Sequence, residues 1–356
     1  MAAAAPTRTF RQVATRHRTT SYTYAYQRGL PIYIPLNRQG YLAELRIKFE
    51  GSVVVGTGGT VTDPYATINF FPSIGLRSPQ GDYLVSLSSR SLWTQNFRYR
   101  DNTTDALPFG VTLTGLQRPD ATTWNPGSAT TQAVDISYII PIAMNLGQNF
   151  DTGLLLTQIA NNDFILQLNC AGNSDLVGSG SSVISSITGS IYIEAVWFEL
   201  VDPSQAQVPD IHTICRLRDS TFNPLVTGDN YISYQLGPVL MDETLTLFTN
   251  VTPDTSNGVN FNYIKKLANR QIELENRRGK DIYRDNFLDF GKQLPNGVFW
   301  LNFFDDYSVV NVTRARDFIN SNLAAQLDTV VNIASGTTLS SAQCVSIYRE
   351  LVTLGA

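Results

Sequence analysis

The sequence predicts an all-β chain built from two tandem β-domains of one design. Three observations predict it. The first is an echo at two beginnings: LPIYIPL at residues 30–36 resembles NYISYQL at 230–236, with Ile32, Ile34 and Leu36 matching Ile232, Tyr234 and Leu236. The following strands stay in step, with Leu45 and Ile47 against Leu245 and Leu247. The second is an echo at two endings: VWFELV at 196–201 recurs as IYRELV at 347–352. Similar segments that open and close two halves in the same order are the mark of an internal duplication. The third is composition. Hydrophobic residues make up 43% of the chain but charged residues only 16%, against roughly 25% in a typical soluble domain. Ser, Thr, Asn and Gly fill the difference, which suits a β protein whose outer surface is neutral or hidden in an assembly.

The 356 residues suffice for two domains with sizeable cores. A net charge of −4 excludes a general polyanion binder. Cys170, Cys215 and Cys344 are scattered without CxxC spacing and read as buried free thiols rather than a disulfide framework. No apolar run approaches the ~18 residues of a membrane span. MAAAAPTRTF lacks the apolar core of a secretory signal, so folding in a reducing cytosol is expected.

In chain order, residues 1–28 read as a basic arm. Arg8, Arg11, Arg16, Arg18 and Arg28 occur there without an acid, the first being Glu44. Phe10, Val13, Ala14 and His17 have the spacing of a short amphipathic helix, while residues 21–26 alternate like a strand. Such an arm suits an anionic surface, a neighbouring subunit or solvent. Removal of residues 1–20 is expected to leave the fold intact. Residues 30–36 and 40–55 read as paired strands joined by a turn at 37–40. Pro31 and Pro35 confine the first to a sheet margin. The Gly-rich stretch 56–64 lacks the Gly-Lys-Ser/Thr ending of a phosphate cradle. Strands follow at 65–71 and 83–99. A long polar excursion at 101–132 then suits a projecting loop. Further strands fall at 134–144, 163–169 and 189–201, the last apolar on both faces and therefore covered on both.

Residues 203–229 read as a linker broken by Pro203, Pro209 and Pro224. The second half repeats the alternation of strand and turn, with one insertion. Residues 261–290 read as a charged helix, with Ile264, Leu267, Ala268 and Ile272 as its apolar stripe and Gly279 as its end. Strands complete the chain at 297–304, 323–333 and 343–354, around a short polar segment at 311–320. The resulting division is an arm at 1–28, a first domain at 29–202, a linker at 203–229 and a second domain at 230–356.

Chemistry is sparse. His17 and His212 are too few and too far apart for a His-based metal site. Asp305-Asp306 is the best carboxylate pair, but adjacent acids after an apolar strand suit a solvated turn better than a glycosidase cleft. Glu199 and Glu350 hold equivalent places in the two endings, which points to a shared structural role. No catalytic, cofactor-binding or metal-ligating residue is assigned, and no cofactor is expected.

This organisation resembles the double jelly-roll major capsid proteins of tailless, membrane-containing icosahedral phages, the tectiviruses above all. The basic-aromatic arm (residues 8–26), the opening pairs LPIYIPLNRQGYLAELRIKFEG and NYISYQLGPVLMDETLTLF, and the closers IYIEAVWFELV and VSIYRELV carry the resemblance. It implies two tandem eight-stranded jelly rolls, here with the charged helix inserted in the second. It further implies a non-enzymatic homotrimer of pseudo-hexagonal outline that tiles a virion capsid beside minor capsid proteins. Arg8, Arg11, Arg16 and Arg18 would be inner-face contacts to an internal lipid membrane, and residues 101–132 an external loop. The rival reading is an extracellular β-sandwich that binds or cleaves glycan through Trp93, Trp124 or Asp305/Asp306. The lack of a secretion signal and of a carboxylate constellation counts against it.

Overall fold

The structure, a computed structural model, describes residues 10–56, 69–88, 90–92, 94, 131–143, 153–158, 163–172, 174–176, 184–200, 209, 212–222, 225–234, 239–249, 252–253, 258–290, 297–303, 319–320, 324–337 and 342–353. The short helix α1 (Phe10–Val13) leads into β1 (Ala14–Ala25), β2 (Pro31–Pro35), β3 (Tyr41–Val55), β4 (Ser73–Arg77) and β5 (Tyr83–Ser88). There follow β6 (Thr131–Pro141), β7 (Leu155–Leu156), β8 (Ile165–Asn169) and β9 (Ile184–Leu200). The second half holds β10 (Thr213–Phe222), β11 (Gly228–Tyr234), β12 (Val239–Thr249), β13 (Thr252–Pro253), β14 (Phe261–Ala268) and β15 (Ile272–Arg277). It ends with α2 (Gly279–Phe290), β16 (Val298–Asn302), β17 (Ile319–Asn320), β18 (Leu327–Ile333) and β19 (Gln343–Thr353).

The duplication foreseen from the sequence is present in the strand order. The first half forms a sheet β1-β9-β3-β6, with β7 also on β3, and a facing sheet β2-β8-β4-β5. The second half forms β10-β19-β12, with β16 and β17 beyond β12, and a facing sheet β11-β18-β14-β15. Each strand of the first half has its counterpart in the second, which adds only the short β13 on β12. The residue echoes fit: Ile32 and Ile232 are both buried on the inner face, as are the pairs Leu45/Leu245 and Ile47/Leu247. β2 lies at the end of its sheet, where its two prolines cost no ladder hydrogen bond.

The two halves are not beads on a string. β5, at the end of one sheet, pairs in parallel with β10 through Leu217 opposite Val85 and Arg218 opposite Ser86. This seam fuses the second sheet of the first half with the first sheet of the second half into one ten-stranded sheet. Asp219 on β10 strengthens it by accepting the Ser88 N–H (2.7 Å) and the Ser91 hydroxyl (2.6 Å). The first core, built on Phe49, Phe70, Phe71, Ile191 and Ile193, continues across the seam into Ile214, Leu217, Trp300 and Ile347. A separate core fills the second half around Ile232, Leu245, Phe261, Phe299 and Val331.

β9 holds the first half together, bonded to β1 on one side and β3 on the other. Its Ile191 and Ile193 enter the core, while Val196 and Phe198 are buried on the opposite face. There Phe10 of α1 packs edge-on against Tyr41 and Phe198, at 5.2 and 5.9 Å between ring centres. Gly51 and Gly189 meet across β3 and β9. A Cβ on Gly189 would fall 2.5 Å from the Glu50 carbonyl oxygen and 2.7 Å from the Gly51 Cα, so the close approach needs both glycines.

Four expectations are corrected. The described part of the arm, from Phe10, is mostly strand: β1 pairs with β9 from Ala14↔Leu200 to Ala25↔Ser190, and its helix is Phe10–Val13. Removing residues 1–20 would therefore strip over half of β1 and the buried Phe10. The expected linker contains β10, the counterpart of β1. The helix expected from residue 261 is a hairpin, β14 and β15, and Gly279 begins α2 instead of ending a helix. The strand expected at 83–99 stops at Ser88, followed by a turn of helix at 90–92. Residues 101–130, 304–310 and 311–318 lie outside the described residues. So do Asp305, Asp306, Trp93 and Trp124.

Candidate functional site

Of the four arginines singled out in the sequence, Arg16 and Arg18 lie at the open edge of the first sheet. Arg8 lies outside the described residues, and Arg11 lies in α1. Arg16 and Arg18 lie on β1, both exposed, opposite Phe198 and Val196 of β9. Alternation along a strand sends both to the outer face. Arg18 donates to one Glu194 oxygen from Nε (2.9 Å) and from a terminal nitrogen (2.7 Å), while Lys48 Nζ donates to the other (2.6 Å). Burial pushes the Glu194 carboxyl up, but the hydrogen bonds and charges of Lys48 and Arg18 outweigh it and hold the group below the usual glutamate range. Arg46 bonds Glu44 on the same face. Arg16 has no ion-pair partner among the described residues.

On the inner face, the His17 ring stacks on Trp197 at 4.3 Å between centres, and its Nε2 lies 3.1 Å from Glu199. The second half repeats this arrangement with other residues. Arg218 faces Tyr348 across the strands, as His17 faces Trp197, and Glu350 receives Arg216 and Arg218. The shared structural role expected of Glu199 and Glu350 thus has a physical form: each carboxylate ties the first strand of its half to the last.

Two further clusters escaped the sequence reading. Inside the second half, Lys266 Nζ donates to Glu243 (2.6 Å) and Thr329 (2.7 Å), with Ser346 (2.8 Å) and Tyr234 also on Glu243. Arg349 and Asp242 form a second buried pair. Both clusters are closed and fully partnered, with no opening for a substrate. A recess under β1, lined by Tyr22, Asn37, Thr157 and Trp197, has room for about one water. Among the described residues no group of three His, Cys, Asp or Glu could hold a metal ion. No described helix is long and apolar enough to cross a membrane. What this geometry offers is edges, charge and a seam.

The comparisons agree with that emphasis. One solved structure, the major capsid protein of Sulfolobus turreted icosahedral virus, superposes with a TM-score of 0.67 over 96% of this chain and 97% of that one. The chain is a double jelly roll. Its sequence identity to that protein is 13%, so the likeness is one of fold. PBCV-1 Vp54, fitted into a reconstruction of the virophage Sputnik, matches at 0.62, with 11% identity over 95% and 93% of the two chains. The major capsid protein P2 of bacteriophage PM2 matches at 0.57, with 8% identity over 96% and 100%. No protein-family model and no curated protein sequence matches the chain. Double jelly rolls as distant in sequence as these thus keep both halves and their relative placement from end to end.

Proposed function

We propose that this double jelly roll is the major capsid protein of a membrane-containing icosahedral virus, a bacteriophage by its resemblance, and that it acts by assembly rather than catalysis. One observation carries the reading: three capsid proteins share its fold over nearly the full length of both partners. Three chains of two jelly rolls each give a six-unit trimer with a pseudo-hexagonal outline, which tiles a flat facet with one gene product. The sparse surface charge fits this role, because the centres of subunit contacts are depleted of charged residues.

Within this reading the segment before β1, carrying Arg8 and Arg11, faces the interior and meets anionic lipid, each base adding about 1 kcal/mol of attraction. Arg16 and Arg18 belong to a strand built into the sheet and receive a different role below. Residues 101–130 form the external projection, and minor capsid proteins join the shell. Light scattering of the purified protein tests the core of the proposal. The expected mass is three times the 39.4 kDa chain, with a six-lobed outline in negative-stain images. A monomer that binds glycan would overturn it.

A further inference from the structure

We propose that β15 of one copy pairs in parallel with β1 of a second copy, repeating between chains the seam that β5 and β10 make within one. The inference rests on the trimer reading and names the contact that would close it. In the duplicated topology β1 is the counterpart of β10, and β15 is the counterpart of β5. The inner seam uses β5 and β10. Their counterparts remain open: among the described residues β1 pairs only with β9, and β15 only with β14. An open strand edge is a template for another strand. A head-to-tail contact of this kind closes into a ring or runs on as a filament.

The register follows from the ladders. Leu217 lies opposite Arg349 and Arg16 opposite Phe198; the closing echo aligns Arg349 with Phe198, so Arg16 holds the place of Leu217. On the other side, Ile34 corresponds to Tyr234. The ladders then carry the match through Leu166 and Leu327, and Leu76 and Ala268, to Val85 and Ile272. The inner pair Val85·Leu217 becomes Ile272·Arg16 between copies, and Ser86·Arg218 becomes Glu273·His17.

The side chains fit that register. β1 presents Arg16 and Arg18 with no acid along its length, whereas β15 (IELENR) presents Glu273, its Glu275 being half-buried and paired with Arg277. Glu273 is exposed, and its ion-pair partner among the described residues is Lys265 at 3.4 Å. Arg18 holds the place of Asp219, whose hydrogen bonds pin the inner seam. β15 also exposes Ile272 (58%) and Leu274 (46%) on an edge where natural sheets place guards. A waiting partner strand explains these apolar residues. The contrast between the seams is physical too. The inner one centres on the apolar pair Val85·Leu217 and is permanent, being within one chain. The outer one is charged, which keeps free subunits soluble before they meet.

Cross-linking tests the pairing on the full chain. The variant with Arg16→Cys and Ile272→Cys should give a disulfide-linked trimer on mild oxidation, because neighbouring strands bring the two Cα atoms within disulfide reach. The native Cys170, Cys215 and Cys344 are buried and stay silent. Arg16→Cys with Tyr33→Cys, on the far edge, should not cross-link. A charge swap gives an independent measure. Glu273→Arg or His17→Glu alone should raise the concentration needed for half-assembly by about tenfold, and the two together should restore it. A protein that is trimeric by light scattering, yet neither cross-links nor responds to the swap, would overturn the pairing and leave the capsid reading standing. A wild-type monomer would remove the capsid reading itself.

Discussion

Lys266 is about 1% exposed in the core of the second jelly roll, and its ammonium sits on Glu243 among hydroxyls from Thr329, Ser346 and Tyr234. Such a pair holds only while both charges are matched. Lys266→Met should cost about 3–5 kcal/mol, because Glu243 would stay buried without its cation; urea denaturation measures it. Glu194 gives a pH prediction. Its folded pKa lies below the unfolded value, so its contribution is present above the ordinary glutamate range and fades as pH falls through the folded value. Thermal melts between pH 7 and pH 3 should show Glu194→Gln losing less stability on acidification than the parent. Burial pushes the Cys170 thiol up to about 11, in keeping with a small packing residue rather than a nucleophile.

At the scale of elements, β1 decides what the N-terminus can lose. Removing residues 1–8 should leave the melting temperature unchanged, whereas removing 1–20 should lower it by several degrees or abolish folding, since Ala14–Thr20 are laddered to β9 and Phe10 is buried. Calorimetry of the two truncations checks this. The same region shows what the sequence could and could not reveal. Strands with clean alternation, such as β2 with Ile32 and Ile34 inward and Tyr33 outward, were legible. The β14–β15 hairpin was not, because the inward position that should have been apolar is Lys266. That left Ile264, Leu267, Ala268 and Ile272 looking like a helical stripe. Its turn was hidden as well. Asn269 and Arg270 both take positive φ and Gln271 N–H bonds the Ala268 carbonyl (3.1 Å), a type I′ turn without its usual glycine. β10 was obscured by Arg216, Arg218 and Asp219, whose partners Glu350 and Ser88 are distant in sequence. The basic edge was visible as composition. Its meeting with β15 was not, because that depends on matching two sheets strand by strand.

For the whole molecule, the shared core predicts joint unfolding. Ile214, Leu217, Trp300 and Ile347 of the second half complete the first core. Calorimetry should therefore show one cooperative transition instead of two, and residues 209–356 expressed alone should be poorly soluble. The duplication was legible because its two echoes open and close the halves in the same order, although the second half is the shorter. The fusion of the halves was not, since two residue pairs of parallel ladder leave no periodic trace.

The seam between β5 and β10 also fixes an arithmetic. Because every chain brings two jelly rolls already joined, any ring it closes contains an even number of them. A closed icosahedral shell has twelve corners of fivefold symmetry, and five is odd. A corner only five jelly rolls around therefore cannot be built from whole chains of this protein, whereas five whole chains would place ten there.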